Sequence, residues 1–354
     1  MKKIILISSI LAVLFIILLN FNFNHSGVLN YISPKSMYPF VPQYLTTSVL
    51  IIAPPYFPNT TGKIIDEGGY TLGNFLLNWS LDLSDNITSY KIYITDNEEV
   101  GFNFSNFNVS LPKYVNNYTD TTANQTYKRF YVVRAENEYG SDNNTAVWGK
   151  YDINFINTEE NKGMNLISIP VQPLNSSIKE VIIQNESNYK ISTLYRYNAL
   201  ERKYDVLFYI PSLGGWTTAN GQFVSLEPGH SYWVKIKDNI TYPFGGDFYL
   251  RNVSIQLYNT SDNEGMNLVG WSSIKRTPIK EAIIQSSTNY NITEIYRYNA
   301  SSLTYDIIHY IPEEDRWTNA SGKFTHFEPG YGYWVKTREN MTWLYLANNL
   351  TWRS

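Results

Sequence analysis

Between residues 46 and 153, apolar and polar positions alternate in short runs separated by turn residues. That period of two is the mark of half-buried strands. Phe75, Leu77 and Trp79 share one side of one run, Tyr90, Ile92 and Ile94 share one side of the next, and residues 95–99 turn the chain. In 131–141, Tyr131, Val133 and Ala135 point to one side and Arg134 to the other, with turn chemistry at Asn137 and Gly140. The pattern predicts a β-sandwich over 46–153.

Beyond it the chain repeats itself. Residues 178–235 align with 279–336 at a constant offset of 101, with 31 of 58 positions identical. Upstream, Gly163-Met164-Asn165-Leu166 matches Gly265-Met266-Asn267-Leu268 at an offset of 102. Repetition at a fixed period marks one structural unit used twice. Each copy opens with a short apolar strand (166–169 in the first). A brief helix follows, with Ile178, Val181 and Ile182 at i, i+3 and i+4 and Ser176 or Ser177 as its cap. A hairpin then pairs 194–197 with 204–210 and ends at Pro211, and Trp216 and Gly221 are expected in a polar connection. Each copy closes with Glu-Pro-Gly, at 227–229 and 328–330, where proline followed by glycine suits a type II turn. In the last strand, alternation puts Tyr232, Val234 and Ile236 on one face and Trp233, Lys235 and Lys237 on the other.

The 131–141 segment resembles the penultimate strand and turn of fibronectin type III domains, and Trp79 sits where such domains keep a core tryptophan on an early strand. The two copies resemble modules of archaeal and bacterial exported proteins that begin near "GWNLIS" and end near "PGxGYWI". Here Met164 and Met266 replace the opening tryptophan, and the first copy has Ser231 where the second has Gly332. The resemblance implies surface display, adhesion or envelope architecture, with no general catalytic residue set. The expected fold class is mainly β: a type III-like sandwich over 46–153, then two tandem α+β modules, each β-rich with one short helix, over 156–255 and 256–354.

The N-terminus bears on the compartment. Lys2 and Lys3 precede an apolar run from Ile4 to Leu19, interrupted only by Ser8 and Ser9. Its length falls between a signal-peptide core and the ~20 residues of a full span. Residues 1–25 therefore read as a signal peptide or an uncleaved membrane anchor. The lysines orient the N-terminus to the cytoplasm. Proline-rich 26–45 reads as an extended stalk, and everything after about residue 26 is expected to face outward.

The chain holds 39 Asn and 57 Ser plus Thr, and 19 Asn-x-Ser/Thr sequons. About 6 such triplets would arise by chance, so the excess points to a surface meant to carry solvating glycans. After Asn24 the candidates are Asn59, Asn78, Asn86, Asn103, Asn108, Asn117, Asn124, Asn143, Asn175, Asn185, Asn239, Asn252, Asn259, Asn291, Asn299, Asn319, Asn340 and Asn349. Asn239 and Asn340 occupy equivalent positions in the two copies. Dense sequons without cysteine look like an archaeal envelope protein.

Composition narrows the rest. With 354 residues, 43% hydrophobic and 16% aromatic, the chain can build two or three packed cores and is not disordered. A net charge of −3 argues against a nucleic-acid binder. The absence of cysteine removes disulfides and thiolate chemistry. His25, His230, His309 and His326 show no metal-ligand spacing, and no nucleophile elbow, Walker loop or dinucleotide fingerprint occurs. Glu227 and Glu328 precede turns, Asp205 and Asp306 read as strand or edge residues, and Asp96, Glu98 and Glu99 as a solvated turn. No catalytic residue, metal or cofactor is expected. The expected function is a non-enzymatic, N-glycosylated cell-surface or envelope protein, structural or adhesive. It would meet the membrane through its N-terminal segment and would contact other envelope proteins or surface glycans. The alternative is a lectin-like protein stacking sugars on exposed aromatics, Trp233 and Trp334. The competing expectation for those tryptophans is packing against the helix or the neighbouring module.

Overall fold

The computed structural model describes residues 60–65, 73–81, 87–218, 223–248, 252–319 and 324–346, and the backbone of a short antiparallel pair, Phe21–Phe23 with Leu29–Tyr31. The apolar run at 4–19, most of the 26–45 stretch, His25, Gly221 and the sequons at Asn24, Asn59, Asn86 and Asn349 lie outside the described residues. Among those described, no helix is long and apolar enough to cross a membrane.

The chain is mainly β. Its first unit is built from β1 (Thr60–Ile65), β2 (Asn74–Trp79), β3 (Ser89–Thr95), β4 (Val109–Pro112), β5 (Asn117–Asp120), β6 (Lys128–Asn137) and β7 (Trp148–Phe155). One sheet has the order β1-β2-β5 and the other β7-β6-β3-β4, all antiparallel, the two layers of a β-sandwich. The alternation of the sequence supplies its interior. Phe75, Leu77, Trp79, Tyr90, Ile92, Tyr131, Val133 and Ala135 are all buried in one cluster. Phe75 stacks on Tyr131 at 4.9 Å, and the Tyr131 hydroxyl donates to buried Asp120.

The other face of β6 is not a solvent face. Phe130 and Val132 are fully buried, and the Arg134 guanidinium lies 3.3 Å over Phe104. Beside the sandwich's own Phe102 and Phe104, the cover comes from the first repeat: β8 (Met164–Ser168), α1 (Ile178–Val181), β9 (Ile191–Asn198), β10 (Lys203–Ile210), β11 (Gly215–Thr218), β12 (Ser231–Ile236) and β13 (Ile240–Asp247). Its five-stranded sheet has the order β8-β12-β9-β10-β11, whereas β13 leaves it and pairs with β7 from Trp148↔Asp247 to Phe155↔Ile240. Strand β7 thus closes the sandwich on one edge and opens the module on the other. One hydrophobic cluster runs from Phe130 and Val132 through Phe155 and Phe244 to Tyr232 and Ile191. The division drawn at 153–156 falls inside this shared sheet.

The second repeat has β14 (Asn252–Leu257), β15 (Met266–Gly270), α2 (Ile279–Ala282), β16 (Ile292–Asn299), β17 (Thr304–Ile311), β18 (Arg316–Asn319), β19 (Gly332–Thr337) and β20 (Met341–Leu346). Its sheet repeats the order, β15-β19-β16-β17-β18, and β14 pairs with β20 as β7 pairs with β13. Two local expectations need correction. Trp216 lies on β11, opposite Tyr209, and touches that ring at 5.4 Å, because the chain after Pro211 turns through left-handed Gly214 and pairs back onto β10. The helix is a single turn, and Ser177 makes no side-chain cap; Asn175 Oδ1 accepts from the Ser177 N–H instead. Ile182 lies past its end in extended backbone yet is buried in the module's hydrophobic cluster.

Candidate functional site

The two modules meet along their β8-β12 and β15-β19 edges in a seam of approximate two-fold symmetry. Ser168 N–H donates to Gly330 O at 3.1 Å, and Gly270 N–H donates to Gly229 O at 2.8 Å. Each acceptor belongs to a Glu-Pro-Gly turn, and each glycine has φ +83°, the left-handed value that a type II turn demands. Buried Asn161 donates Nδ2–H to Ala300 O at 3.1 Å, and buried Asn263 donates to Ala199 O at 3.0 Å. These two asparagines, and Asn165 and Asn267, whose side chains accept from Ile156 N–H and Tyr258 N–H, carry structure that the repeat hinted at only by recurring.

The predicted aromatic positions lie in this seam. Tyr232, Val234 and Ile236 are buried in the module core, as alternation requires. On the opposite face, half-buried Trp233 meets Tyr298 of the second module at 4.8 Å, and Trp334 meets Tyr197 of the first at 4.8 Å. The neighbouring module covers the face that a strand on its own would show to solvent.

The symmetry breaks at its centre. Module 1 places Ser168 opposite Ser231, and module 2 places Gly270 opposite Gly332. Ser168 Oγ donates to Trp271 O at 2.9 Å, and Ser231 Oγ donates to Val269 O. A Cβ on Gly332 would stand 2.5 Å from Ser231 Oγ and 2.8 Å from Leu166 Cγ. The serine–glycine difference between the copies is a fit of bulk into space.

The acidic residues are spent on structure. Asp205 and Asp306 are buried and accept from Arg196 and Arg297 at 3.2 Å, each arginine lying over a ring, Phe223 or Phe324. They are internal pairs rather than edge residues. Asp96 and Glu98 pair with Arg129 and Lys128 of β6, so their turn is tied to the sandwich. Glu227 lies 3.7 Å from His230, and Glu328 lies within reach of Arg276 and Arg297. His309 is half-buried on β17, and His326 Nδ1 meets Thr325 Oγ1 at 2.8 Å. Among the described residues, no three metal-ligating side chains converge. The least expected group is the Lys150–Asp152 pair on β7. Both side chains have no exposure, with Nζ at 3.0 and 2.9 Å from the two carboxylate oxygens. Burial raises the Asp152 carboxyl to about 6 against the pull of Lys150, and lowers the Lys150 ammonium.

Among the described residues, no asparagine that begins a sequon is buried. Asn103, Asn108, Asn117, Asn124, Asn143, Asn175, Asn185, Asn239, Asn252 and Asn340 are exposed, and Asn78, Asn259, Asn291 and Asn299 are half-buried. The buried asparagines are Asn137, Asn144, Asn161, Asn165, Asn263 and Asn267, and none of them begins a sequon. Asn319 lies on β18, without a described side chain. In several exposed sequons the amide oxygen is held by nearby backbone, as when Asn103 accepts from Ser105 N–H and Asn340 from Asn259 N–H, so the nitrogen is the end left for a sugar. No protein-family model matches the chain, and no curated protein matches it.

Proposed function

We propose that this chain is a non-enzymatic, N-glycosylated protein of the cell surface or envelope, structural or adhesive, of the archaeal type that the repeat motifs resemble. The observation that carries the reading is the distribution of asparagines: among the described residues, the buried ones begin no sequon, and those that begin one are exposed or half-buried. A merely Asn-rich composition would scatter sequons over buried positions as well. The shared strand β7 and the inter-module seam add to it, since they join three units into one stiff body. In this reading the N-terminal segment serves as export signal or anchor, the stiff body stands off the membrane, and glycans keep it soluble. The lectin alternative needs free aromatic faces, and Trp233 and Trp334 are occupied by Tyr298 and Tyr197.

Protease added to intact producing cells is expected to digest the region after residue 26, and glycopeptide mass spectrometry to find sugar on several sequons. Full protection, or bare peptides at every sequon, overturns the proposal.

A further inference from the structure

The duplication brings a surface that is covered in one copy and bare in the other. In module 1 the outer edge of β7 pairs with β6, Trp148–Tyr151 against Lys128–Tyr131, and the face carrying Lys150 and Asp152 is buried beneath the sandwich. In module 2 the offset of 102 places Asn252 and Ser254 where module 1 has Lys150 and Asp152. Among the described residues nothing pairs with the corresponding edge of β14. Its outer face presents Asn252, Ser254 and Gln256, all exposed, beside Leu344 of β20, which is 57% exposed and directly opposite Ser254. An open strand edge next to an exposed leucine is a template for pairing with another chain.

The two residues that replace the buried ion pair are the first and third of a sequon, Asn252-Val253-Ser254. The Asn252 side chain makes no hydrogen bond among the described residues. It borders an open cleft of about 920 Å³ whose rim includes Leu344 and Ile284, the latter 93% exposed. We infer that an asparagine-linked glycan on Asn252 stands in module 2 where the sandwich stands in module 1, covering the bare face and blocking strand addition at the β14 edge. The inference rests on the glycoprotein reading above and assigns one site within it a structural task. In the transfer step, the amide nitrogen of Asn252 attacks the anomeric carbon of a lipid-linked oligosaccharide supplied by the exporting cell. A C–N bond forms, the anomeric C–O bond to phosphate breaks, the phosphate-bearing lipid leaves with the electron pair, and the amide gives up one proton.

The test compares the full-length glycosylated protein from its producing cells with Asn252→Gln and Ser254→Ala. The second variant destroys the sequon and keeps the asparagine, so it decides the matter should the first misfold. Asn124→Gln, in an exposed sequon on the sandwich, is the control. Glycopeptide mass spectrometry is expected to find Asn252 occupied in the parent. Light scattering is expected to give a monomer for the parent and for Asn124→Gln, and at least a dimer's mass for both Asn252-site variants at the same concentration. An Asn252 peptide that is bare while other sequons carry sugar overturns this inference and leaves the general reading standing; bare peptides at every sequon overturn both. Equal association states for the parent and the Asn252-site variants also overturn it.

Discussion

Trp233 of the first module meets Tyr298 of the second at a centroid separation of 4.8 Å and an interplanar angle of 67°, and Trp334 repeats the contact with Tyr197 at 4.8 Å and 68°. The matched pairs join the two modules across one seam. Because both tryptophans are half-buried, truncating either to alanine is expected to lower stability by about 2 kcal/mol, short of the ~3–5 kcal/mol of a fully buried ring. A double-mutant cycle with Tyr298→Ala should return a coupling of about 0.5–1.5 kcal/mol. Urea denaturation measures both, and variants that unfold with the parent would show that the seam adds nothing.

The centre of the seam gives a sharper test. Gly332→Ser makes the second module match the first and sets new bulk against Ser231 and Leu166. Overpacking of this kind costs about 1–3 kcal/mol. The exchange Gly332→Ser with Ser231→Gly moves the bulk to the other side and should recover part of the loss. If the exchange is no better than Gly332→Ser alone, the serine–glycine complementarity has no role.

Lys150 and Asp152 should behave as a buried pair. Lys150→Met alone strands a charge and is expected to cost about 3–5 kcal/mol, whereas Lys150→Met with Asp152→Leu is expected to be neutral or stabilising. The pH dependence has a definite sign. The folded Asp152 carboxyl sits near 6, above its ordinary 3.8, so its contribution is fully present below the unfolded value and is lost as pH rises through 6. The parent should therefore compare best with the double variant at pH 4 and fall behind it by pH 7. Melting curves at the two pH values decide, and a constant difference would count against the pair.

Neighbouring sequons need not be equally occupied. Asn259 donates its Nδ2–H to Arg338 O, tying down the nitrogen that a glycan must take, while Asn340 beside it uses its oxygen. Mass spectrometry of the native glycoprotein is expected to find Asn340 occupied and Asn259 bare. The reverse pattern would mean that glycan attachment takes no account of this fold.

Some of the molecule follows from local pattern. Period-two alternation placed Phe75, Leu77, Trp79 and Tyr131 in the sandwich interior, and proline followed by glycine fixed the turns at 227–229 and 328–330. The duplication gave two like modules, with strands 191–198 and 203–210 repeated at 292–299 and 304–311. These features depend on neighbours a few residues apart, so the sequence alone determines them.

What the tertiary structure alone decided concerns faces and edges. Alternation says that Trp233 lies opposite Tyr232, but whether that side meets solvent, a helix or another module depends on chain 65 residues away, at Tyr298. The same holds for Asp205 and Asp306, buried under arginines rather than at an edge, and for β7, which joins two units because β13 returns from 85 residues on to pair with it. The departure at Ser231, visible as a difference from a motif that Gly332 keeps, acquires a reason only when the copies face each other. A strand's own residues fix which side chains share a face; only long-range pairing fixes what that face touches.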